Sequence, residues 1–285
     1  MILVLDGHNL MHRARSGFQL GDYNVVFNFV RQLRALVEQF QPTRVYFTLE
    51  GAPKRQLQLL SGYKANRVID EADEKAVRSR DSFLRQKDLI VEMLQKHFPI
   101  SVVQHPDFEA DDVIHNLIRN SSKSAEFTVV STDTDFIQLL QAFDNVRLYN
   151  PVTKKLVEAP PYNYCIWKAL RGDPSDNVPG LVGEAKALEL VTDRYVSFVA
   201  EAYKDAKSNL SADLARNITA ISFHDWTPEE TLGMRSSEPT RDWERVRELF
   251  QAWSFGSLLK EGTWAKFVAT FDPLWKGSED AGAVV

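Results

Sequence analysis

Four short apolar runs punctuate the first half of the chain: Ile2 to Leu5, Val45 to Phe47, Ile100 to Val103 and Phe127 to Val130. Runs of this length, bounded by turn-forming or charged residues, read as buried strands. Between them the apolar period changes. Val25, Val26, Phe29, Val30, Leu33, Leu36, Val37 and Phe40 recur every three or four residues, and so do Phe83, Leu84, Ile90, Val91 and Leu94, the spacing of one helix face. Strand and helix in alternation predict a mostly parallel sheet with helices on both faces. After about residue 160 the strand signals fade; Pro160-Pro161 suits a hinge, and GDPSDNVPG (172–180) is a turn-rich interruption in helical sequence. The pattern predicts an α/β core over 1–160, a helical lobe over 161–270 and a flexible tail over 271–285.

Composition adds limits. With 285 residues, 44% hydrophobic and 26% charged, the chain has the make-up of a folded globular protein and enough length for a large core. Its single cysteine, Cys165, excludes an intramolecular disulfide and any cysteine-based zinc site, and points to a reducing compartment, the cytoplasm. The apolar start breaks at Asp6, too early for a signal peptide or a membrane span. The net charge of -5 argues weakly against a nucleic-acid partner, but nine carboxylates lie in short clusters; setting them aside leaves 30 acids against 34 cations. Where the charge lies matters more than its sum.

The clustered acids fall at strand ends. Asp6 closes the first predicted strand, Glu50 lies just past the second, Glu109, Asp111 and Asp112 follow the third, and Asp133 and Asp135 follow the fourth. In a parallel α/β sheet ligands bind beyond the carboxyl ends of the strands, so these acids are expected to converge. Any one of them could simply cap the next helix, as Asp107 could. Four acidic strand ends together argue for hard divalent cations, Mg²⁺ or Mn²⁺, and a pair of them. His8, His12 and His115 are read as packing or surface residues rather than ligands. A phosphatase of the haloacid-dehalogenase type also uses strand-end aspartates, but it needs a second Asp two positions after the first, where this chain has His8.

Lys64 to Lys87 form a long insertion rich in both charges. By composition it reads as a solvated, salt-bridged helix. Its position beside the acidic strand ends gives Tyr63-Lys64-Ala65-Asn66-Arg67 a second reading, an aromatic stacking surface beside two cations able to clamp a phosphate; Arg13 and Arg15 could act from the other side. In the turn-rich segment, Asp173 and Asp176 suit a further ion.

Taken together, LVLDGHNL, GYKANR, FEADDVI, VVSTDTDF, LRGDPSDNVPG and, more loosely, ARNITAISFHD and LFQAWSFGSLLK resemble the 5′-nuclease superfamily: phage 5′ to 3′ exonucleases, the phage flap nuclease called ribonuclease H, and the N-terminal nuclease domain of bacterial DNA polymerase I. The matches run in family order from residue 1 to about 260. The resemblance implies a PIN-like core, a helical arch over the active site (about 64–90) and a helix-turn-helix lobe that grips duplex DNA. It places Asp6, Glu50, Glu109, Asp111 and Asp133 on a first metal, and Asp135, Asp173 and Asp176 on a second, with Asp112 near both. Lys64 and Arg67 match catalytic residues that contact the scissile phosphate, Tyr63 a base-stacking aromatic, and Arg13 a residue near the 5′ strand. Arg15, Arg78, Arg80, Gly180, Gly183 and Lys186 complete the expected DNA contacts.

Two departures stand out. The family's second strand is commonly followed by Asp, where this chain offers Thr48 or Glu50, and Glu50 is taken because it carries charge. The family's Gly-Val-Pro-Gly-Ile-Gly-x-Lys hairpin becomes Gly180-Leu181-Val182-Gly183-Glu184-Ala185-Lys186, which puts the K⁺ that often assists there in doubt and shifts reliance to Lys186 and Arg194. The implied activity is metal-dependent hydrolysis of DNA at a free 5′ end or 5′ flap, with RNA–DNA hybrid as a further substrate. The expected setting is the cytoplasm of a bacterial or phage-infected cell, as a monomer with no fused polymerase, removing primers or trimming ends beside a replication polymerase or a single-strand-binding protein. A PIN-type ribonuclease or a catalytically silent junction binder are the alternatives; the first would lack the arch, and the second would have lost its acids.

Overall fold

The four apolar runs are strands β1 (Ile2–Asp6), β2 (Arg44–Leu49), β3 (Ser101–Gln104) and β4 (Phe127–Val130) in the computed structural model, which describes residues 1–19, 21–67, 70–193 and 209–279. Strands β5 (Val146–Asn150), β6 (Lys155–Val157) and β7 (Arg235–Ser236) complete one sheet in the order β6-β5-β4-β1-β2-β3-β7. The pairs β1–β2, β1–β4, β2–β3 and β4–β5 are parallel, while the edge strands β6 and β7 run antiparallel. The chain moves from β1 outward to β2 and β3, then returns to build β4 and β5 on the other side. The switch point lies beside β1, where a doubly wound sheet opens its ligand crevice.

The helices are α1 (Gly7–Ala14), α2 (Asn24–Phe40), α3 (Lys54–Leu59), α4 (Glu74–His97), α5 (Ala110–Arg119), α6 (Ile137–Ala142), α7 (Tyr164–Arg171), α8 (Glu184–Asp193), α9 (Asn209–Ile221), α10 (Pro228–Thr231), α11 (Trp243–Ala252), α12 (Gly256–Leu259) and α13 (Glu261–Glu279). Alternation along the strands divides the core. Leu3, Leu5, Val45 and Phe47 pack with α2, α4 and α11 to α13, whereas Val4, Tyr46, Val103 and Val129 pack with α5 and α6 on the opposite face. A third cluster, with Ile166, Leu170, Val178, Ala187, Val191, Leu214 and Ile221, joins α7 to α9. Among the described residues no helix is long and apolar enough to cross a membrane.

The insertion becomes a set of turns through Tyr63–Arg67 followed by α4, whose N-terminus is capped by Asp73. The second half of α4 belongs to the core: Phe83, Ile90, Met93 and Leu94 are buried. Gln86, also buried, turns its Oε1 onto the amides of Val25 (2.9 Å) and Val26 (3.4 Å), so one side chain caps the start of α2 from a different helix.

Two expectations are corrected. The segment from Trp243 onward does not continue the helical lobe; Val246, Phe250, Phe255, Phe267 and Phe271 pack with α2 against the sheet. Nor does a flexible tail begin at 271. Helix α13 runs to Glu279 and fully buries Phe271 and Leu274, because that apolar face would otherwise be left in water.

A latch ties the C-terminal part to the sheet. The Asn116 side chain, with no exposure, donates to the His224 carbonyl at 2.7 Å and accepts from the Trp226 amide at 2.9 Å. Phe271→Ala is expected to lower the unfolding free energy by about 3–5 kcal/mol in urea denaturation. A frayed segment at this position would give a change within about 0.5 kcal/mol.

Candidate metal centre and active site

Each strand hands its acid to the same crevice. Asp6 ends β1 and caps α1 by accepting from the Asn9 amide at 3.1 Å, while its other oxygen accepts from the Ser131 hydroxyl at 2.7 Å. Asp133, just past β4, caps the 3-10 turn Thr134–Phe136 by accepting from the Asp135 amide at 2.9 Å. Capping and convergence therefore coincide, since the local turn that holds the backbone also aims the carboxylate. One carboxylate oxygen each from Asp111, Asp133 and Asp135 lie within 4.8 Å of one another. With Asp6, Glu50, Asp173, Asp176, Lys64, Arg67 and Lys168 they line a cavity of about 320 Å³.

Burial raises the Asp6 carboxyl to about 7, and the Asp133 and Glu50 charges add to that rise. Burial likewise brings Asp135 to about 7 in spite of Lys168. Asp111 stands well above the usual carboxylate range because it is buried and faces Asp133, Glu109 and Asp6. Oxygen ligands that resist ionisation until a cation arrives fit a hard divalent metal.

Thr48 is fully buried and its hydroxyl donates to the Leu5 carbonyl at 3.0 Å, whereas Glu50 lines the cavity with His8 Nδ1 3.8 Å away. His8 itself is held down to about 4 by burial and by Lys87 and Lys64, so it is neutral at pH 7. His8 and His12 do line the acidic cavity, nearer the chemistry than expected, while His115 bonds Asp225 at 2.7 Å outside it.

Asp112 does not line the main cavity but shares a small neighbouring one with Glu109, Asp111, Asp135, Asp173 and Asp176. Its Oδ1 accepts from the His224 amide at 2.7 Å beside the Asn116 latch. Tyr63 is a correction. It is 8% exposed, and its hydroxyl lies 2.9 Å from Glu109 and 3.0 Å from Asp176, able to donate to one at a time, so its ring offers a base no face. Glu109 is engaged by that hydroxyl and by the Lys64 ammonium.

The turn carrying Lys64 and Arg67 is stapled to the loop carrying Asp173 and Asp176. The Lys64 amide donates to the Asp176 carbonyl (3.1 Å), Asn66 to the Pro174 carbonyl (2.9 Å) and Asn177 to the Gly62 carbonyl (2.7 Å). Arg67 meets the Asp176 carboxylate at 2.5 Å. Burial works against the Lys64 charge, but Glu109 and Asp176 hold its pKa above the ordinary value.

Sequence reasoning missed Lys168. It is 5% exposed on α7 and its ammonium touches Asp135 and, at 2.7 Å, Asp173, so a buried cation already stands between two expected ligands of the second ion. The only sequence signal was its place five residues before Asp173, on a helix with Tyr164 and Ile166.

Of the other expected DNA contacts, Arg78 and Lys186 are exposed and pair only with acids on their own helices, bonds that solvent screens. Arg13 donates to the Pro151 carbonyl at 3.1 Å, Arg78 pairs with Glu74 at 3.4 Å, and Arg80 pairs with Glu71 and Asp81. Lys186 pairs with Glu189 at 2.6 Å. Gly180 is required for packing: a Cβ there would lie 2.2 Å from the Arg171 carbonyl oxygen, beside Gly172 at φ +82°. Gly183 lies in open space just before Glu184, and Arg194 is outside the described residues.

A family described as the 5′-3′ exonuclease, N-terminal resolvase-like domain matches residues 1–163. The chain belongs to this family. A Mycobacterium tuberculosis protein named 5′-3′ exonuclease is 27% identical over 257 residues, covering 78% of this chain and 79% of that one. The thermostable DNA polymerase I of Thermus aquaticus is 29% identical over 293 residues; the match takes in 91% of this chain but only 33% of the polymerase. Among solved structures, the bacteriophage T5 flap endonuclease in complex with DNA and metal ions superposes with a TM-score of 0.64 at 16% identity, covering 98% of this chain and 99% of that one. That likeness is one of fold.

Two predictions follow from the charges. A protonated carboxyl cannot ligate, so with Asp6 and Asp135 titrating near 7 the apparent Mn²⁺ affinity rises as pH goes from 6 to 8 and levels off above. Calorimetry in buffers of different ionisation enthalpy should register proton release on Mn²⁺ binding below pH 7. Lys168→Met leaves two buried carboxylates without their counter-charge and is expected to cost about 3–5 kcal/mol in EDTA. Millimolar Mn²⁺ should recover part of that loss, raising the melting temperature more in the variant than in the wild type.

Proposed function

We propose that the chain is a divalent-metal-dependent, structure-specific nuclease that hydrolyses DNA phosphodiesters near a free 5′ end or at a 5′ flap. The observation that carries the reading is the acidic cavity at the sheet's switch point with Lys64 and Arg67 at its rim. Two Mg²⁺ or Mn²⁺ ions held among Asp6, Glu50, Asp111, Asp133, Asp135, Asp173 and Asp176 would supply water activation and neutralise charge on the leaving 3′-oxygen.

The chain's own groups do the positioning. Lys64 and Arg67 sit against Glu109 and Asp176, close enough to exchange those carboxylates for the scissile phosphate when the acids take up cations. Their charge then lies where negative charge develops in the transition state. Lys168 holds Asp135 and Asp173 apart from one another's repulsion, fixing both oxygens before substrate arrives. Asp112 and Asn116 secure α5 and so the direction of Asp111. Water is the attacking group in this reading. The setting that suits this chemistry is primer removal or end processing in replication, with flap DNA and RNA-ended strands as substrates.

The test uses end-labelled recessed, nicked and 5′-flap duplexes with DNA or RNA 5′ ends, in Mg²⁺, Mn²⁺ or EDTA. The wild type is expected to cut in either metal and not in EDTA. Asp111→Asn and Asp133→Asn are expected to abolish cleavage while DNA binding holds or tightens, because repulsion against phosphate falls. Near wild-type cutting by either variant in Mg²⁺ would remove the assignment.

A further inference from the structure

Past His12 the acidic cavity gives way to a second one of about 640 Å³ between α1 and α4, and His12 lines both. The chemistry changes at that boundary. Among the described residues no carboxylate lines the second cavity; Arg15, Ser16, Ser79, Ser82, Gln86 and Phe83 are among its walls.

The two helices meet through matching stripes. On α1, His8 and His12 are one turn apart and Arg15 continues the same face; on α4, Ser79, Ser82, Phe83 and Gln86 do the same. Ring contacts link them, His8 to His12 and His12 to Phe83, each with centroids 4.4 Å apart. Arg15 lies nine residues beyond Asp6, about 13 Å along the helix axis, far enough to lie past the reacting phosphate and next to its neighbour.

Arg15 has the hallmarks of a cation kept for an external anion. Its guanidinium lies 4.9 Å from the Phe83 centroid and donates to Ser79 Oγ at 3.1 Å, and among the described residues no carboxylate is within ion-pair distance of it. Lys64, Arg67, Arg78 and Arg80, by contrast, all have acidic partners. Ser79 accepts from Arg15, and Ser82 accepts from Gln86 at 3.3 Å, which leaves both hydroxyl protons free to donate. The N-terminus of α2 is not the attraction, since Gln86 already takes the Val25 and Val26 amides.

We infer that this cavity is a subsite for the 5′-terminal phosphate of the strand being cut, held by Arg15 with the Ser79 and Ser82 hydroxyls, while the intervening nucleotide crosses His12. The subsite rests on the nuclease reading and extends it to recognition of a phosphorylated end.

Single-turnover cleavage in Mg²⁺ of two recessed duplexes, identical except for a 5′-phosphate or a 5′-hydroxyl, tests it. The wild type is expected to cut the phosphorylated end about tenfold faster at subsaturating enzyme, the worth of one charge-assisted contact. Arg15→Ala, and separately the pair Ser79→Ala with Ser82→Ala, should bring the ratio close to one. Because the ratio is internal to each variant, a general loss of fold or chemistry cancels from it. Equal rates in the wild type, or a preference that survives in Arg15→Ala, overturns the subsite and leaves the nuclease reading standing. A wild type that cuts neither end overturns both.

Discussion

Seven carboxylates line one cavity of about 320 Å³, and their mutual repulsion has to be offset before any substrate is present. The fold offsets it in three ways. Burial keeps Asp6, Asp111 and Asp135 hard to ionise. Backbone amides and hydroxyls take up the oxygens of Asp6, Asp133 and Asp173. Lys64, Arg67 and Lys168 supply fixed positive charge at the edges. A cluster balanced like this is pre-formed but under electrostatic tension, which a divalent cation among the acids would relieve. The stapled turn, the buried lysine and the latch on α5 all read as supports for that one arrangement.

Much of this was legible because strand-end acids obey a topological rule. Once Ile2 to Leu5, Val45 to Phe47, Ile100 to Val103 and Phe127 to Val130 are parallel strands, the position of Asp6, Glu50, Asp111 and Asp133 follows without any knowledge of side-chain contacts. What escaped has physical reasons. Strand β5 carries an exposed Arg147 inside a short apolar run, and β6 and β7 are too short and polar to signal themselves. The bond of Asp112 to the His224 amide was hidden because that partner lies more than a hundred residues further along the chain.

Lys168 and Tyr63 were obscured for a different reason. A lysine in a helical stretch is ordinarily solvated, and an aromatic beside two cations is ordinarily a surface feature. Only the approach of α7 to the 3-10 turn after β4, and of the Tyr63–Arg67 turn to the loop at 172–180, buries them. The extent of the C-terminal packing was hidden similarly: Phe250, Phe255, Phe267 and Phe271 sit in helical sequence that could close on itself, and it is the open face beside α2 that claims them.

The Asn116 latch sets the order in which the site can be completed. Asp6 to Asp135 are all present once the first 135 residues exist, but Lys168, Asp173 and Asp176 come later and the latch on α5 needs His224 and Trp226. A nascent chain that has emerged only as far as the family match, residue 163, holds a set of repelling acids with neither its buried counter-charge nor its fastening. Lys168, the His224 and Trp226 fastening and the segment that buries Phe250 and Phe271 are added in that order, so the acidic centre is laid down by the N-terminal part of the chain and made firm by the C-terminal part.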